Sequence, residues 1–294
     1  MTSRSPWPLV LAMLLPTVAL LAVFVYLPAL LGLQRAFTHW EAGEDPVPAG
    51  LANFRTMAAD EYLRLSVGNL VLLLLATLAK TLVAPLLVAE LLIGLRSARW
   101  QSFLRTVLTL PMVVPGMVVM LLWAFVYDGS VGLLNQILES VGLGAWTRAW
   151  LGESSTALAA VVGIGFPWAG GLPLLIYLAG LGGIGSEIHD AASIDGATGW
   201  KRVRCVDIPL LRPQIRLLAT LTTIGSLQDF GSILILTGGG PGLATHVPAL
   251  HMYFQAFRFG HFGYAAAIGL ALFAVIFGLS LVQQRLGAEK DTRP

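Results

Sequence analysis

The chain has 294 residues, of which 56% are hydrophobic and 12% are charged, and its formal net charge at pH 7 is +2. An average soluble domain carries about 25% charged residues, whereas the mean hydropathy here is +0.77. These values exclude an ordinary soluble enzyme and indicate a protein with several membrane spans. The single cysteine, Cys205, excludes an internal disulfide and a metal site built from several cysteines.

Six apolar segments are long enough to cross a bilayer, and each must be a helix because unpaired backbone groups are costly in lipid. The first follows Arg4 and is too long for the core of a signal peptide, so we interpret it as a retained span. We therefore predict an all-α membrane protein with six transmembrane helices at Pro8–Leu33, Leu65–Leu92, Thr106–Tyr127, Ala157–Leu181, Leu217–Leu236 and Tyr264–Val282.

The distribution of basic residues predicts the orientation of these spans. Six spans place both termini on one side, and cytoplasmic segments are enriched in Lys and Arg. Five basic residues would face outward, namely Arg35, Arg55, Arg64, Arg148 and Arg258. Twelve would share the side of the termini, which we therefore expect to be cytoplasmic: Arg4, Arg96, Arg99, Arg105, Lys201, Arg202, Arg204, Arg212, Arg216, Arg285, Lys290 and Arg293.

This topology predicts three parts of the chain. Residues 1–64 would hold the first helix and an external loop rich in Pro and Gly, and residues 65–285 would form a core of five helices. A polar cytoplasmic loop would lie at about 184–213, and residues 286–294 would form a cytoplasmic tail. The six spans contain no convincing inverted repeat, which argues against a secondary transporter.

No motif in the chain indicates catalysis, a bound cofactor or a metal ion. The stretch GGGPG at Gly238–Gly242 lacks the Gly-Lys-Ser/Thr of a phosphate-binding loop, so we interpret it as an external loop. His246, His251 and His261 lack helical spacing and clustered acids, so we interpret them as solvated loop histidines and not as metal ligands. An integral membrane enzyme would need a convergent cluster of acids or histidines at one depth, and none stands out.

Three ionisable residues, Lys80, Glu90 and Asp229, fall inside predicted spans. Such groups are costly in lipid and usually face the interior of the bundle or a wet cavity. Glu90 lies near the cytoplasmic end, where its side chain can reach the interface. For Lys80, and for Asp229 with its polar neighbours Ser226 and Gln228, two interpretations stay open: pairing between helices, or contact with a hydroxyl-rich substrate.

The cytoplasmic segment DAASIDGATGWKRVRCVDIPLL, Asp190–Leu211, is unusually polar for this chain. Ser186 is predicted to cap a short helix whose apolar face contains Ala191 and Ala192. Gly196 allows a sharp turn into a second short helix with a basic flank, and Pro209 marks the return to the membrane. Because the alanines would bury too little apolar area to bind lipid, we expect a protein to dock on this segment.

The same segment resembles the cytoplasmic EAA loop of permease subunits in bacterial ABC importers. That loop has the pattern E-A-A, three residues, G, nine residues, I-x-L-P. Here the matching stretches are Asp190–Ala192, Gly196 and Val206–Pro209, with Asp for Glu, Val for Ile and Ile for Leu. Further similarity to the sugar-type branch lies in Gly50–Phe54, Arg105–Trp123, Gly132–Leu138 and Leu236–Gly269.

The resemblance implies a type I ABC importer permease in the cell membrane that moves a di- or oligosaccharide inward and is not itself an enzyme. It implies a second permease subunit, two ATPase subunits that carry ATP and Mg²⁺, and an extracytoplasmic solute-binding protein, with no cofactor in this chain and no nucleic acid. The positions it assigns to coupling are Asp190, Ala191, Ala192, Gly196, Val206, Ile208 and Pro209. Import of glycerol-3-phosphate or a polyol, and ATPase-independent secondary transport, remain alternatives.

Overall fold

The computed structural model describes residues 7–291, and the predicted cytoplasmic residues Arg4 and Arg293 lie outside this range, as does the end of the predicted tail at 292–294. The described chain is almost entirely helical. A two-residue antiparallel pairing, β1 at Thr38–His39 with β2 at Val47–Pro48, is a departure from the all-α prediction. The chain divides into two compact units, one formed by residues up to Glu61 with His251–Phe273, and the other by Tyr62–Leu250 with residues from Ala274 onward.

The first unit begins with a long apolar helix. Its parts are α1 (Trp7–Leu21), a π-helical turn (Ala22–Tyr26) and α2 (Leu27–Arg35). The unit continues through the strand pair to α3 (Ala52–Ala59), and it includes α15 (Pro248–Phe257) from His251 onward and the first part of α16 (Phe262–Asp291). The buried amide of Asn53 donates to the carbonyls of Ala36 and Thr38, both at 2.9 Å, which fastens α3 to the strand pair.

The second unit is built on α4 (Glu61–Ile93), a helix of 33 residues and thus about 50 Å long at 1.5 Å per residue. The predicted second span therefore exists as an unbroken helix. Its buried residues Leu86, Ala89 and Leu92 form a core with the helices that follow.

The predicted third span, Thr106–Tyr127, is broken. Helix α5 (Ala98–Thr109) continues as a 3-10 turn (Leu110–Val113) and then bends by 96° into α6 (Gly116–Val126). Pro115 precedes α6 with an extended backbone, which stops the helix because proline lacks the N–H needed to continue it. After α6 comes the short helix α7 (Leu133–Ser140).

The predicted fourth span, Ala157–Leu181, is also divided. Helix α8 (Ala157–Gly163) ends before the stretch Gly165–Gly170, and α9 (Gly171–Gly182) resumes the helical path. Helix α9 then bends by 73° into α10 (Ser186–Ile194), so the apolar segment leads directly into the polar loop.

The predicted fifth span, Leu217–Leu236, consists of two helices. Helix α13 (Arg212–Gln228) ends at Asp229, whose backbone is extended, and α14 (Gly231–Leu236) follows. The Asp229 carboxylate accepts a hydrogen bond from the backbone N–H of Ser232, so it satisfies a donor in the first turn of α14. The break thus coincides with the polar island of this segment.

Three described helices are long and apolar enough to cross a membrane: Val10–Arg35, Glu61–Ile93 and Phe262–Arg285. The number rises to five if each bent pair, α5 with α6 and α9 with α10, is counted as one span. Helix α16 continues to Asp291, so it extends beyond the predicted sixth span into the segment predicted as a tail.

The main core of the second unit joins α4, α9 and the start of α13. Leu174, Tyr177 and Leu211 are completely buried there. A Cβ on Gly180 would lie 2.6 Å from the completely buried side chain of Leu211, so glycine at this position favours the close packing of α9 against the start of α13. Small residues commonly allow such contacts between membrane helices, where packing is the main attraction.

Candidate functional site: a coupling segment and a polar cavity

The segment that resembles the EAA loop is a compact pair of short helices. After α10, the backbone turns at Gly196 (φ +71°) and leads into α11 (Trp200–Arg202), a π-helical turn (Val203–Asp207) and α12 (Ile208–Leu210). The positive φ of Gly196 lies in the left-handed region that favours glycine. We call residues 186–210 the coupling segment, because the predicted coupling positions all lie within it.

The outward face of the coupling segment differs from the predicted one. Asp190, Ala191 and Gly196 are exposed as expected, but Ala192 is only 8% exposed. The Ala192 carbonyl accepts the Ala197 N–H at 2.7 Å, so this residue closes the turn between the two short helices. The prediction that Ala192 shares an outward alanine face is therefore wrong, because at this bend Ala192 faces the protein's own interior.

The exposed apolar surface of the segment is instead supplied by larger side chains. Ile194 is 86% exposed, Trp200 is 63% exposed and Ile188 is 43% exposed. We call Ile188, Ala191, Ile194 and Trp200 the apolar face. Ser186 is the first residue of α10, and Gly185 occupies the capping position that the sequence suggested for Ser186.

The remaining predicted coupling positions lie at the base of the segment. Val206, Ile208 and Pro209 are half-buried, and Ile208 packs against the core that contains Leu211. These residues therefore join the segment to the membrane helices, whereas Asp190 and Ala191 face away from them.

A buried ionic network connects the coupling segment to α4. The Arg202 guanidinium donates from Nε to Asp207 Oδ2 at 2.9 Å and from Nη2 to Glu90 Oε2 at 3.1 Å. Asp207 is completely buried, and His189 Nδ1 lies 3.8 Å from its other oxygen. We call Glu90, His189, Arg202 and Asp207 the ionic network. Glu90 was expected only to reach toward the interface, and the structure pairs it instead.

Asp207 and Glu90 stabilise the charged form of Arg202. Burial alone would lower the pKa of its guanidinium, but the hydrogen bonds and charges of Asp207 and Glu90 outweigh burial and raise the pKa above its ordinary value. Asp207 was missed as a site residue because the variable position of the motif carries it. The sequence did contain one sign of this pairing, because Asp207 follows Arg202 by five residues in a segment with many apolar residues.

The four predicted pathway residues come together in one cavity. Lys80, Ser226, Gln228 and Asp229 all line a cavity of about 610 Å³, together with Thr77, Thr81, Thr222 and Ser232. Lys80 Nζ donates to the carbonyl of Val162 at 3.3 Å, and the Asp229 carboxylate accepts a hydrogen bond from the Ser232 hydroxyl. The polar groups therefore border open space instead of closing a tight seam between helices.

A second cavity, of about 530 Å³, shares Lys80, Thr81 and Pro173 with the first. Its wall contains the aromatic side chains of Trp123, Phe166 and Trp168, two of them from the break between α8 and α9. The Trp168 indole N–H donates to the Ile164 carbonyl at 2.9 Å, which fixes one ring. These aromatic residues were not predicted as site residues, although the Phe-Pro-Trp stretch inside an apolar segment was a signal for two of them.

The three histidines of the region predicted to be external are not uniformly solvated. His246 and His251 are buried, whereas His261 is exposed. His251 Nε2 lies 2.9 Å from Asp60 Oδ2, and Asp60 also accepts the Tyr264 hydroxyl at 2.7 Å. The prediction of three solvated loop histidines is therefore wrong for two of them, because His251 lies on α15 against Asp60 and His246 lies in a packed part of the loop before α15.

The chain is similar to known transport proteins along most of its length. The profile of the family described as "Binding-protein-dependent transport system inner membrane component" matches residues 82–290. The probable ABC transporter permease protein YurN of Bacillus subtilis is 31% identical over 264 residues, 90% of each chain. The trehalose/maltose transport system permease protein MalF of Thermococcus litoralis is 31% identical over 281 residues, which cover 94% of this chain and 92% of that protein.

The fold is shared with a solved transporter. A chain in the crystal structure of a bacterial alginate ABC transporter, in complex with an alginate pentasaccharide-bound periplasmic protein, superposes with a TM-score of 0.85. The match covers 98% of this chain and 96% of that chain at 23% identity, so it shows a common fold. Together these findings confirm a transport subunit in a membrane and not an enzyme, and the chain belongs to the family of binding-protein-dependent transport system inner membrane components, the permease subunits of ABC importers.

Proposed function

We propose that the chain is one of two permease subunits of an ATP-driven sugar importer, with di- or oligosaccharides as its substrates. One observation supports this proposal most directly: the four predicted pathway residues line one cavity, on helices connected to the coupling segment. These residues are Lys80, Ser226, Gln228 and Asp229. The trehalose/maltose permease relative supports this substrate class, as does a diacetylchitobiose uptake permease of Streptomyces coelicolor at 31% identity.

The cavity chemistry suits a neutral sugar. Hydroxyl, amide and carboxylate groups on its wall can exchange hydrogen bonds with sugar hydroxyls. The aromatic rings of Trp123, Phe166 and Trp168 in the adjoining cavity offer apolar faces for the C–H side of a pyranose ring. Because Asp229 lies in the same wall as Lys80, the cavity holds both charge signs, which disfavours an anion such as glycerol-3-phosphate.

We propose six membrane spans with both termini in the cytoplasm. The bent pairs α5–α6 and α9–α10 provide two of the spans, and α13 with α14 provides the remaining one across its break at Asp229. The distribution of Lys and Arg supports this orientation, because it places the coupling segment and the loop before α5 on the more basic side.

In this arrangement the apolar face of the coupling segment docks on a partner ATPase subunit, which binds ATP and Mg²⁺. Ile194 and Trp200 supply the exposed apolar area. Asp190 is also exposed and lies one helical turn before Ile194 on α10, where it can serve as a charged contact. Closure of the ATPases would then shift the segment as a rigid body, and the membrane helices would alternate between two packings. A solute-binding protein on the outer side delivers the sugar.

Reconstituted transport tests this proposal. The chain, produced with its partner permease, ATPase and binding protein in proteoliposomes, should accumulate at least one of trehalose, maltose and diacetylchitobiose when ATP and Mg²⁺ are supplied on the cytoplasmic side. Glycerol-3-phosphate serves as the anionic comparison. Accumulation driven by a proton gradient without ATP would contradict the proposal and favour a secondary transporter, and uptake of glycerol-3-phosphate alone would contradict the substrate class.

A further inference from the structure

The link between the coupling segment and α4 has a specific geometry. Arg202 uses two different nitrogen atoms of one planar guanidinium, Nε toward Asp207 and Nη2 toward Glu90. Asp207 belongs to the coupling segment, while Glu90 belongs to the last turns of α4. A guanidinium held by two carboxylates is fixed in orientation as well as in distance. The bond to Glu90 therefore relates the position of the segment to that of α4.

The other contacts of the segment are of a different kind. Ile208 and Leu211 pack on the apolar core, which resists separation but has no direction of its own. Substituting apolar groups for a buried ion pair is often neutral or stabilising, so stability alone is a weak reason for such a pair in this place. A directional contact fits a part that must move together with its neighbour.

The network also contains groups with unused hydrogen-bonding capacity. In the described part of the chain, Glu90 Oε1, Asp207 Oδ1 and His189 Nδ1 are buried and make no hydrogen bond. His189 Nδ1 lies 3.8 Å from Asp207 Oδ1, just beyond hydrogen-bond distance. A small displacement of α10 would bring these two atoms within hydrogen-bond distance, so a shifted position of the segment would leave fewer buried groups unpaired.

Helix α4 carries this connection to the cavity. Glu90 and Lys80 are ten residues apart on the same unbroken helix, which is about 15 Å along its axis. Lys80 lines both cavities, and the Tyr177 hydroxyl donates to the Leu82 carbonyl at 3.1 Å, so α9 braces α4 between the two sites. Pro85 lies between Lys80 and Glu90 and removes one backbone hydrogen bond of α4, but the helix continues through it and Tyr177 braces this stretch. A displacement imposed on Glu90 would therefore reach the cavity wall along α4.

We propose that Glu90 is a positioning residue that, through Arg202 and Asp207, transmits displacement of the coupling segment to α4 and to the cavity wall at Lys80. This inference rests on the proposed function, because it takes movement of the coupling segment as its input. It assigns Glu90 no contact with the substrate.

A reporter cysteine in the cavity tests the inference. Thr77 lies on α4 and lines the cavity, and Cys205 is the chain's only cysteine, so Thr77→Cys in a Cys205→Ser background gives one labelling site. The readout is the rate of alkylation by N-ethylmaleimide in the assembled complex in nanodiscs, with and without Mg²⁺ and a non-hydrolysable ATP analogue. We expect nucleotide to change this rate by at least about fivefold in the reporter protein.

Glu90→Gln keeps the size of the side chain but removes the charge that holds Arg202. We expect the complex to assemble and hydrolyse ATP while the ratio of alkylation rates with and without nucleotide falls to about 1, because coupling between the sites is lost. Glu90→Asp keeps the charge on a shorter side chain and should give an intermediate ratio. Glu139→Gln, which changes an exposed acid on α7 outside the coupling segment and outside the lining of both cavities, is the matched control and should keep the full ratio.

The outcomes separate the two proposals. A full nucleotide response in Glu90→Gln would overturn this inference and leave the proposed function intact. If Glu90→Gln does not assemble, Glu90→Asp decides, since a full response there would equally overturn the inference. A reporter protein that assembles with an ATPase but does not respond to nucleotide would contradict the proposed function, and the inference would fall with it.

Discussion

The coupling segment and the polar cavity use charged residues in opposite ways. In the ionic network, Arg202 is held between two carboxylates, and Asp207 has no exposed surface. In the cavity, Lys80 and Asp229 make one or two hydrogen bonds each and border open space. Tightly paired charges fix a geometry, whereas loosely paired charges remain available to a ligand. In the proposed mechanism, the ionic network transmits position and the polar cavity receives the substrate.

The largest expected effect is on the stability of the network. Asp207→Ala removes a fully buried carboxylate and leaves Arg202 without one of its two carboxylate partners. Breaking a buried ion pair costs about 3 kcal/mol of unfolding free energy, near the lower end of the usual range because the guanidinium remains partly exposed. We expect this loss of stability to appear as a clearly lower midpoint of thermal unfolding in detergent. Asp195→Ala changes an exposed acid in the same segment and should leave the midpoint unchanged. Equal midpoints for the two variants would contradict the claim that the ionic network holds tightly paired charges.

The second-largest expected effect is on assembly with the ATPase and not on the folding of this chain. Ile194→Asp places a charge at the centre of the exposed apolar face, where a docked ATPase would desolvate it. We expect the amount of co-purified ATPase to fall by at least about tenfold, as for an interface hot spot, with no change in the unfolding midpoint. Arg204→Asp, at an exposed position of the basic flank, should reduce assembly less. Normal assembly of Ile194→Asp would show that the apolar face is not the docking surface.

The smallest effect lies in the cavity. Asp229→Asn preserves the shape of the side chain but removes the charge opposite Lys80 and weakens the hydrogen bonds to Ser232. One charge-assisted hydrogen bond is worth about 1.5 kcal/mol, which corresponds to a roughly tenfold rise in the sugar concentration for half-maximal uptake. Assembly and the unfolding midpoint should remain close to those of the unsubstituted protein. If assembly fails instead, Asp229 has a structural role and the contrast between the two regions disappears.

Features that depend on composition or on a short motif were predictable from the sequence. The apolar runs identified the unbroken helices that begin the chain, form α4 and end it, because a long apolar run permits few other structures in lipid. The motif spacing located the coupling segment with its turn at Gly196. Lys80, Ser226, Gln228 and Asp229 were selected as polar residues inside apolar segments, and they share one cavity.

Other features depended on contacts between distant residues. Three predicted spans are divided by breaks at Pro115, at Gly165–Gly170 and at Asp229. Hydropathy does not reveal these breaks, because the apolar character of the chain continues across them. The burial of Ala192, His246 and His251 depends on which side of a bend or loop faces the rest of the chain. Local propensity carries no information on that choice.

From the sequence alone followed a helical membrane protein that resembles ABC importer permeases and the prediction of a cytoplasmic docking segment, because hydropathy, charge asymmetry and motif spacing are properties of the order of residues along the chain. Only the tertiary structure decided that Glu90 pairs with Arg202 and that the aromatic residues near the α8–α9 break border the same space as Lys80. Glu90 and Arg202 are 112 positions apart, and their meeting follows from how α4 and the coupling segment pack, which no local pattern specifies.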